Sequence, residues 1–229
     1  MASIVLLTQP EYAGLLMPFL RTSGAGVVAV AERDELARAA ETGSRLISFA
    51  AKVIVPAAIL ARFSGRAYNF HPGPPTYPGI FPSVFALYDG QREFAVTLHE
   101  MAPQVDSGPI VAVERFAILP DHDRLGLDTL TFQTMLAMVA RWAPRLTDIT
   151  TPLPHIPESW TGRHRTRADF NALCELDDNP TAQEFTRRLR AVGEGPEHAL
   201  TLSRFGRRFA LVSDAAGPVV RGGVAARDS

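Results

Sequence analysis

Cysteine is almost missing from this 229-residue chain. Cys174 stands alone, which excludes an internal disulfide framework and suits a reducing compartment. It follows a polar segment and reads as a small hydrophobe rather than a nucleophile. An excess of charge is lacking too: 23 Lys and Arg stand against 24 Asp and Glu, a formal net charge of -1. Nothing electrostatic therefore favours a nucleic-acid partner. No apolar run is long enough to span a membrane, and Met1-Ala2-Ser3-Ile4-Val5-Leu6-Leu7 carries no basic leader. A cytoplasmic protein with no membrane partner is expected. His71 and His99 have no companions at zinc-like spacing, so no metal site is expected. Hydrophobic residues make up 46% of the chain, which supports a buried core over disorder.

What is present is an alternation of short apolar strands and helical stretches. Ile4 to Leu7 reads as a buried first strand, and Pro10-Glu11 opens a helix through Leu15, Leu16, Phe19 and Leu20, ended near Gly24 and Gly26. Val27 to Ala31, Leu46 to Phe49 and Ala67 to Phe70 read as further strands, separated by helices over Glu32 to Thr42 and Pro56 to Phe63. This alternation argues an α/β, mostly parallel sheet, whose ligands collect beyond the carboxyl ends of its strands. Ile80 to Tyr88 suits a helix. Phe94 to Met101 and Ile110 to Ile118 suit an antiparallel pair joined by a functional loop. A long helix over Leu125 to Leu146 and a proline-punctuated linker over Thr150 to Pro157 follow. Residues 1–150 thus read as the catalytic unit and 151–229 as linker and appendage. The appendage holds a helix over Thr181 to Val192, with Thr181 and Glu184 as a capping box, and a β-hairpin from Ala199 to Phe205 and Arg207 to Val212. Asp214 to Ser229 reads as a brief strand before the chain frays.

The chemistry lies in Asn69-Phe70-His71-Pro72-Gly73 and Val105-Asp106-Ser107-Gly108. An amide donates to a developing oxyanion, an imidazole carries a proton, and a carboxylate holds that imidazole in the useful tautomer. Together they suit moving an acyl group onto an amine. A proline-flanked loop histidine is poor core material, whereas Asp106 has a stronger claim to be a plain loop cap. His99 alternates with Val96 and Leu98 and reads as a satisfied strand residue rather than a catalyst.

The block Asn69 to Gly79, with Val96-Thr97-Leu98-His99-Glu100-Met101 and Val105-Asp106-Ser107-Gly108, resembles the catalytic core of the 10-formyltetrahydrofolate-dependent formyltransferases. The family pattern is Asn-x-His, a proline-containing loop ending in Gly, Val-Thr-x-x-x-Met and Asp-x-Gly. Thr8-Gln9-Pro10-Glu11-Tyr12-Ala13 also looks like the opening of the methionyl-tRNA branch. The resemblance runs over residues 1–150 and implies a Rossmann-like sheet of the formyltransferase fold. It implies 10-formyltetrahydrofolate as cosubstrate, no metal, and Asn69, His71 and Asp106 as the catalytic residues. Phe49, Ala51, Lys52, Ile54, Gln104 and Val105 would bind the cosubstrate. Gly73, Tyr77, Pro78 and Phe81 would shape the acceptor side, where Gly73-Pro74-Pro75-Thr76 and Pro78 depart from the residues usual in the family.

The acceptor is narrowed by comparison among branches. Leu7 is followed by Thr8-Gln9-Pro10, not by the Gly-rich phosphate-holding turn of the glycinamide ribonucleotide branch. The residues after the linker are too few for the barrel of the tRNA branch. They are similar to the short tails of sugar N-formyltransferases, which makes a nucleotide-linked aminosugar the leading expectation among small-molecule amines. Such relatives are often homodimers, although no heptad or apolar seam marks one here. Two alternatives stand beside this reading: a 10-formyltetrahydrofolate hydrolase, and a non-catalytic folate- or nucleotide-binding relative. Arg163, His164, Arg165 and Arg167 read either as solvated surface or as an anion site for an acceptor diphosphate or the folate tail.

Overall fold

Runs such as Ile4-Val5-Leu6-Leu7 are apolar on both sides, and such a strand needs cover on both faces. The computed structural model, which describes residues 3–21, 26–193 and 200–211, buries them inside a six-stranded sheet. Its strands are β1 (Ser3–Leu7), β2 (Gly26–Val30), β3 (Arg45–Phe49), β4 (Ala67–His71), β5 (Glu93–Glu100) and β6 (Ile110–Ala117), in the order β2-β1-β3-β4-β5-β6. The first four are parallel, while β5 runs antiparallel to β4 and β6. The mostly parallel sheet and the antiparallel pair expected from the pattern are both there.

Five helices flank it: α1 (Pro10–Leu20), α2 (Arg33–Ala39), α3 (Ala57–Leu60), α4 (Pro82–Tyr88) and α5 (Arg124–Thr147). Because side chains alternate along a strand, Ile4, Leu6, Ile47, Phe49, Tyr68 and Phe70 share one face. That face packs against Leu16 and Leu20 of α1 and Met135, Met138 and Val139 of α5. The opposite face, with Val5, Leu7, Leu46 and Ala67, packs against Leu36 of α2 and Phe63. The helix expected over Pro56 to Phe63 is shorter than its pattern suggested, because Phe63 turns into this core instead of continuing the helix.

The C-terminal part adds α6 (Arg167–Cys174), β7 (Glu175–Leu176), α7 (Ala182–Val192), β8 (Thr201–Arg204) and β9 (Arg207–Ala210), the three strands forming their own small sheet. It shares a core with the main sheet: Phe170, Leu173 and Val192 pack with Val84, Phe94, Ile118 and Leu127. Thr181 caps α7 by accepting from the Glu184 N–H at 3.1 Å. The Glu184 carboxylate turns to the Tyr88 hydroxyl and to Arg188 rather than back to the cap. A capping box does form one helix earlier, between Thr166 and Asp169. The brief strand read at Asp214 to Ser229 lies outside the described residues.

The largest departure is the segment read as a linker. The Leu153 N–H donates to the Tyr68 hydroxyl at 2.9 Å, and the Ile156 N–H to the Ile110 carbonyl at 2.9 Å. Farther on, Thr161 N–H reaches the Pro75 carbonyl, and Arg165 exchanges backbone hydrogen bonds with Pro78 and Ile80. Residues 153–166 therefore form a strap tied to the sheet and to the loop after β4. Its prolines forbid regular structure without making it free.

Candidate active site

The antiparallel register sets Asn69 opposite His99 and His71 opposite Thr97. With a side-chain period of two, all four point to the same face of the sheet. Asn69 and His71 lie in the last pleat of β4, with His71 its final residue, so the site sits on the sheet's face at the carboxyl end of that strand, as expected. Asp106 returns over that face from the β5–β6 loop, its backbone in the left-handed region at φ 45. Its side chain explains why that conformation holds: Oδ2 lies 3.3 Å from His71 Nδ1 and accepts from the Gly79 N–H at 2.9 Å, and Oδ1 lies 3.5 Å from His99 Nε2. The Asn69 amide nitrogen is 3.1 Å from the same His99 Nε2. Asn69, His71 and Asp106, proposed from sequence as one set, are thus brought together.

His99 joins them. The expectation of a satisfied strand residue holds for Nδ1, which donates to the Glu100 carbonyl at 2.9 Å. With Nδ1 so engaged, Nε2 lies between the Asn69 amide nitrogen at 3.1 Å and Asp106 Oδ1 at 3.5 Å. The sequence signal was available in the register: a strand pair that sets His71 against Thr97 must set Asn69 against His99.

His71, His99 and Asp106 are buried, and Asn69 is half-buried, so Asn69 is the member that meets solvent. His71 is caught between two oxygens. Nε2 is 3.0 Å from the Tyr77 carbonyl and Nδ1 faces the Asp106 carboxylate, so only a doubly protonated ring satisfies both. Burial works against that charge and pulls the His71 pKa down, with His99 adding to the effect, while Asp106 and the Tyr77 carbonyl pull it up and are outweighed. Burial pushes Asp106 up, but the His71 ring, His99 and the Gly79 N–H together hold its carboxyl at about 2. The result is a fixed carboxylate beside a buried imidazole that lacks one proton for a full set of hydrogen bonds.

The loop from Gly73 to Gly79 closes over His71. The Thr97 hydroxyl, fully buried, donates to the Gly73 carbonyl at 2.7 Å, which gives the Thr of the Val-Thr pair a structural task. A side chain at Gly73 would strike Pro82 and His71 Nε2, so only glycine permits this approach. Tyr77 is buried and its hydroxyl donates to Asp89 at 2.9 Å; burial and this bond push its phenol up, so it stays protonated. Pro78 is buried too. The Phe81 ring stacks on Phe170 at 4.2 Å and lies under the guanidinium groups of Arg124 and Arg167.

The basic cluster is engaged within the chain. Arg163 pairs with Asp169, Arg165 lies 3.7 Å from Asp89 and over the Phe85 ring, and Arg167 covers Phe81. His164 Nε2 is 2.8 Å from the Val105 carbonyl. These residues hold the strap down. Within it, the half-buried Trp160 meets His71 and His99 edge to face, with centroids 5.3 and 5.0 Å away, and its indole N–H donates to the Gly108 carbonyl at 2.8 Å. No local sequence pattern marks Trp160 as part of the site.

Of the residues assigned to the cosubstrate, Phe49 is fully buried in the core beside Tyr12, Phe70 and Phe132. Ala51 is partly buried, and Lys52 and Gln104 are exposed. Ile54 and Val105 are 66% and 42% exposed. Beside Ala50 and Pro72 a cleft of about 470 Å³ opens, lined by Tyr12, Phe132, Thr129, Gln133 and Asp128. Among the described residues no group of three or more His, Cys, Asp or Glu side chains is arranged to hold a metal, and no helix is long and apolar enough to cross a membrane.

The chain is similar to known proteins over most of its length. The formyl transferase family model matches residues 31–133. A dTDP-4-amino-4,6-dideoxyglucose formyltransferase of Mycobacterium tuberculosis is 34% identical over 169 residues, covering 71% of this chain and 68% of the relative. A methionyl-tRNA formyltransferase of Thermus thermophilus is 31% identical over 129 residues, but these span 56% of this chain and 41% of that protein. The structure of a sugar N-formyltransferase from Shewanella shares the fold, with a TM-score of 0.75 over 93% of this chain and 97% of the other at 19% identity. On the identity and mutual coverage of the mycobacterial relative, and with Asn69, His71 and Asp106 drawn together on one sheet face, this chain belongs to the formyl transferase family.

Proposed function

We propose that the chain transfers a formyl group from 10-formyltetrahydrofolate to the primary amine of a nucleotide-linked aminosugar. The observation that carries this reading is the cluster of Asn69, His99, Asp106 and His71, in a chain that matches a dTDP-aminosugar formyltransferase over most of both lengths. The match to the tRNA enzyme covers less than half of that protein, which favours the sugar branch.

The residues present fit the formyl donor. Ile54 in the β3–α3 loop and Val105 beside Asp106 leave apolar surface in water where a flat heterocycle would cover it. Lys52, Gln104 and the backbone of the loop, pinned by the Gln9 amide donating to the Ala50 carbonyl at 2.9 Å, supply polar contacts around it. When bound, the donor supplies an activated formyl carbon, and the protein supplies the rest. Asn69 has a second amide hydrogen free to donate to the formyl oxygen as negative charge builds there, a role worth about 2.7–4 kcal/mol per donor. His71 receives the proton that the amine must lose, at Nε2 where the Tyr77 carbonyl now stands, and the proton completes its two hydrogen bonds. Asp106 stabilises the charged ring and fixes its orientation.

The acceptor side is the loop after β4, which Gly73, Tyr77, Pro78 and Phe81 stiffen through buried contacts rather than by exposed side chains. Residues 1–150 are the catalytic unit, and the described residues from 151 onward supply the strap and flank. The test is direct: incubate the chain with 10-formyltetrahydrofolate and a panel of aminosugar nucleotides, amino acids and free amines, and read products by mass. A formamide on a nucleotide-linked aminosugar is expected. Formate release at the same rate with and without amine would replace this reading with a hydrolase.

A further inference from the structure

Trp160 belongs to no motif and lies in a segment without regular structure, yet its ring touches both site imidazoles. The strap that carries it is fixed on each side of the indole. Its N–H is tied to Gly108, two residues from Asp106, and the Thr161 N–H is tied to Pro75 in the loop over His71. At Gly162 the strap passes so close to the loop that a Cβ would fall on the Thr76 carbonyl, so only glycine fits. Ion pairs, hydrogen bonds and stacked cations from Arg163 to Arg167 hold the next turn down. So much anchoring around one half-buried ring is more than a linker between two folded parts requires.

We propose that Trp160 is a positioning residue that roofs the His71–Asp106–His99 cluster, and that the strap 153–166 keeps water from taking the place of the acceptor amine. This rests on the reading of the site as a formyl-transfer centre. The two outcomes differ by one atom. With an amine, a bond forms from its nitrogen to the formyl carbon, the bond from that carbon to the donor nitrogen breaks, and the amine's proton ends on the donor nitrogen. With water, a C–O bond forms and the same bond breaks; formate leaves, one proton passes to the donor nitrogen and one to solvent. His71 serves either acceptor equally well, so the chemistry of the cluster does not discriminate between them. Exclusion of bulk water does, and it also keeps the electrostatic contacts of the cluster strong.

His71 reports the roof directly. It faces Asp106 from the β5–β6 loop, His99 from β5, His164 from the strap and the Tyr77 carbonyl, and burial is the largest influence on its titration. Removing the indole admits water, whereas a phenyl ring in its place keeps most of the cover.

The experiment uses the full chain without ligands, then with them. Histidine ring NMR over a pH series, with His71 assigned through His71→Gln, compares the natural protein with Trp160→Ala, Trp160→Phe and Gly162→Ala. The His71 titration is expected to move up by about one pH unit in Trp160→Ala and Gly162→Ala and to stay near its original position in Trp160→Phe. With formyl donor and acceptor present, the ratio of formate to formamide should rise about tenfold or more in the first two variants and be restored by Trp160→Phe. Gly162→Ala lifts the strap while keeping the indole, so it decides the matter if Trp160→Ala fails to fold. The proposal is overturned if a folded Trp160→Ala leaves both the His71 titration and the product ratio unchanged. A shifted titration in a chain that forms no formamide in any form would instead overturn the assigned reaction and leave the roof standing.

Discussion

Asn69 and His99 meet across the β4–β5 pair with the amide nitrogen 3.1 Å from Nε2, and His99 is itself held by the Glu100 carbonyl. The amide therefore has a fixed plane. An amide nitrogen carries two hydrogens, so a contact with His99 leaves one for a bound oxygen. Orientation of this kind is what separates a preorganised donor from one that must first be turned by the substrate.

Asn69→Ala should lower kcat by about 10²–10³-fold, the usual loss for an oxyanion donor. His99→Ala should cost less, about tenfold, because the amide remains but swings. In both, KM for the acceptor should change little. Steady-state kinetics on the two variants and their double mutant check this: the double mutant should be hardly worse than Asn69→Ala alone. Losses that multiply would mean His99 acts on the substrate by itself.

Acid should weaken the fold through the buried pair. His71 binds its proton less readily in the folded chain than in the unfolded one, and Asp106 gives its proton up more readily, holding at about 2. In both cases the unfolded state binds more protons, so stability rises with pH across the window. The Asp106 contribution is complete above the ordinary carboxylate range and lost as pH falls toward about 2. The His71 contribution begins to fade once pH drops below the ordinary imidazole range. Urea unfolding at a series of pH values should show a shallower loss between pH 7 and pH 5 in His71→Gln than in the natural protein, and an equal slope would contradict the burial of a neutral ring.

Much of this is legible in the sequence. The strands from Ile4 to Phe70 and the long helix were legible because apolar periodicity dominates where both sides of an element are covered. Asn69, His71 and Asp106 were legible as residue types suited to one reaction. Trp160 was not, since its partners are 89, 61 and 52 positions away and no local period reports such a contact. The strap looked like a linker for the same reason: its order comes from single hydrogen bonds to distant loops. Tyr77 and Phe81 are turned inward by Asp89 and by the C-terminal core, partners that a motif does not display.

Lys52 is the only lysine in the chain and is exposed in the loop assigned to the formyl donor. Amine-directed acetylation should therefore modify one side chain, apart from the amino terminus. Saturating tetrahydrofolate should slow modification of Lys52, read by peptide mass, about tenfold if the donor covers that loop. An aminosugar nucleotide alone should give no protection. Equal rates with and without the folate would move the donor away from Lys52 and Ile54.

Arg45, the first residue of β3, is only 1% exposed, and its guanidinium lies over the Tyr68 ring. It donates to the carbonyls of Arg145, Leu146 and Asp148 at the end of α5 and to that of Thr151 beyond it, at 2.7 to 3.2 Å. The final carbonyls of a helix have no partners within it and carry the negative end of its dipole, so one planar cation satisfies several at once. Arg45→Met keeps much of the volume but strands those oxygens away from water, and should destabilise the fold by about 3 kcal/mol. Arg45→Lys should recover only part of that, because a compact ammonium lacks the two separated nitrogens with which the guanidinium reaches both the helix end and Thr151. Urea unfolding gives both numbers, with formyl transfer per folded molecule measured alongside. If Arg45→Lys is as stable as the natural protein, charge alone holds the helix end and the fork geometry is incidental.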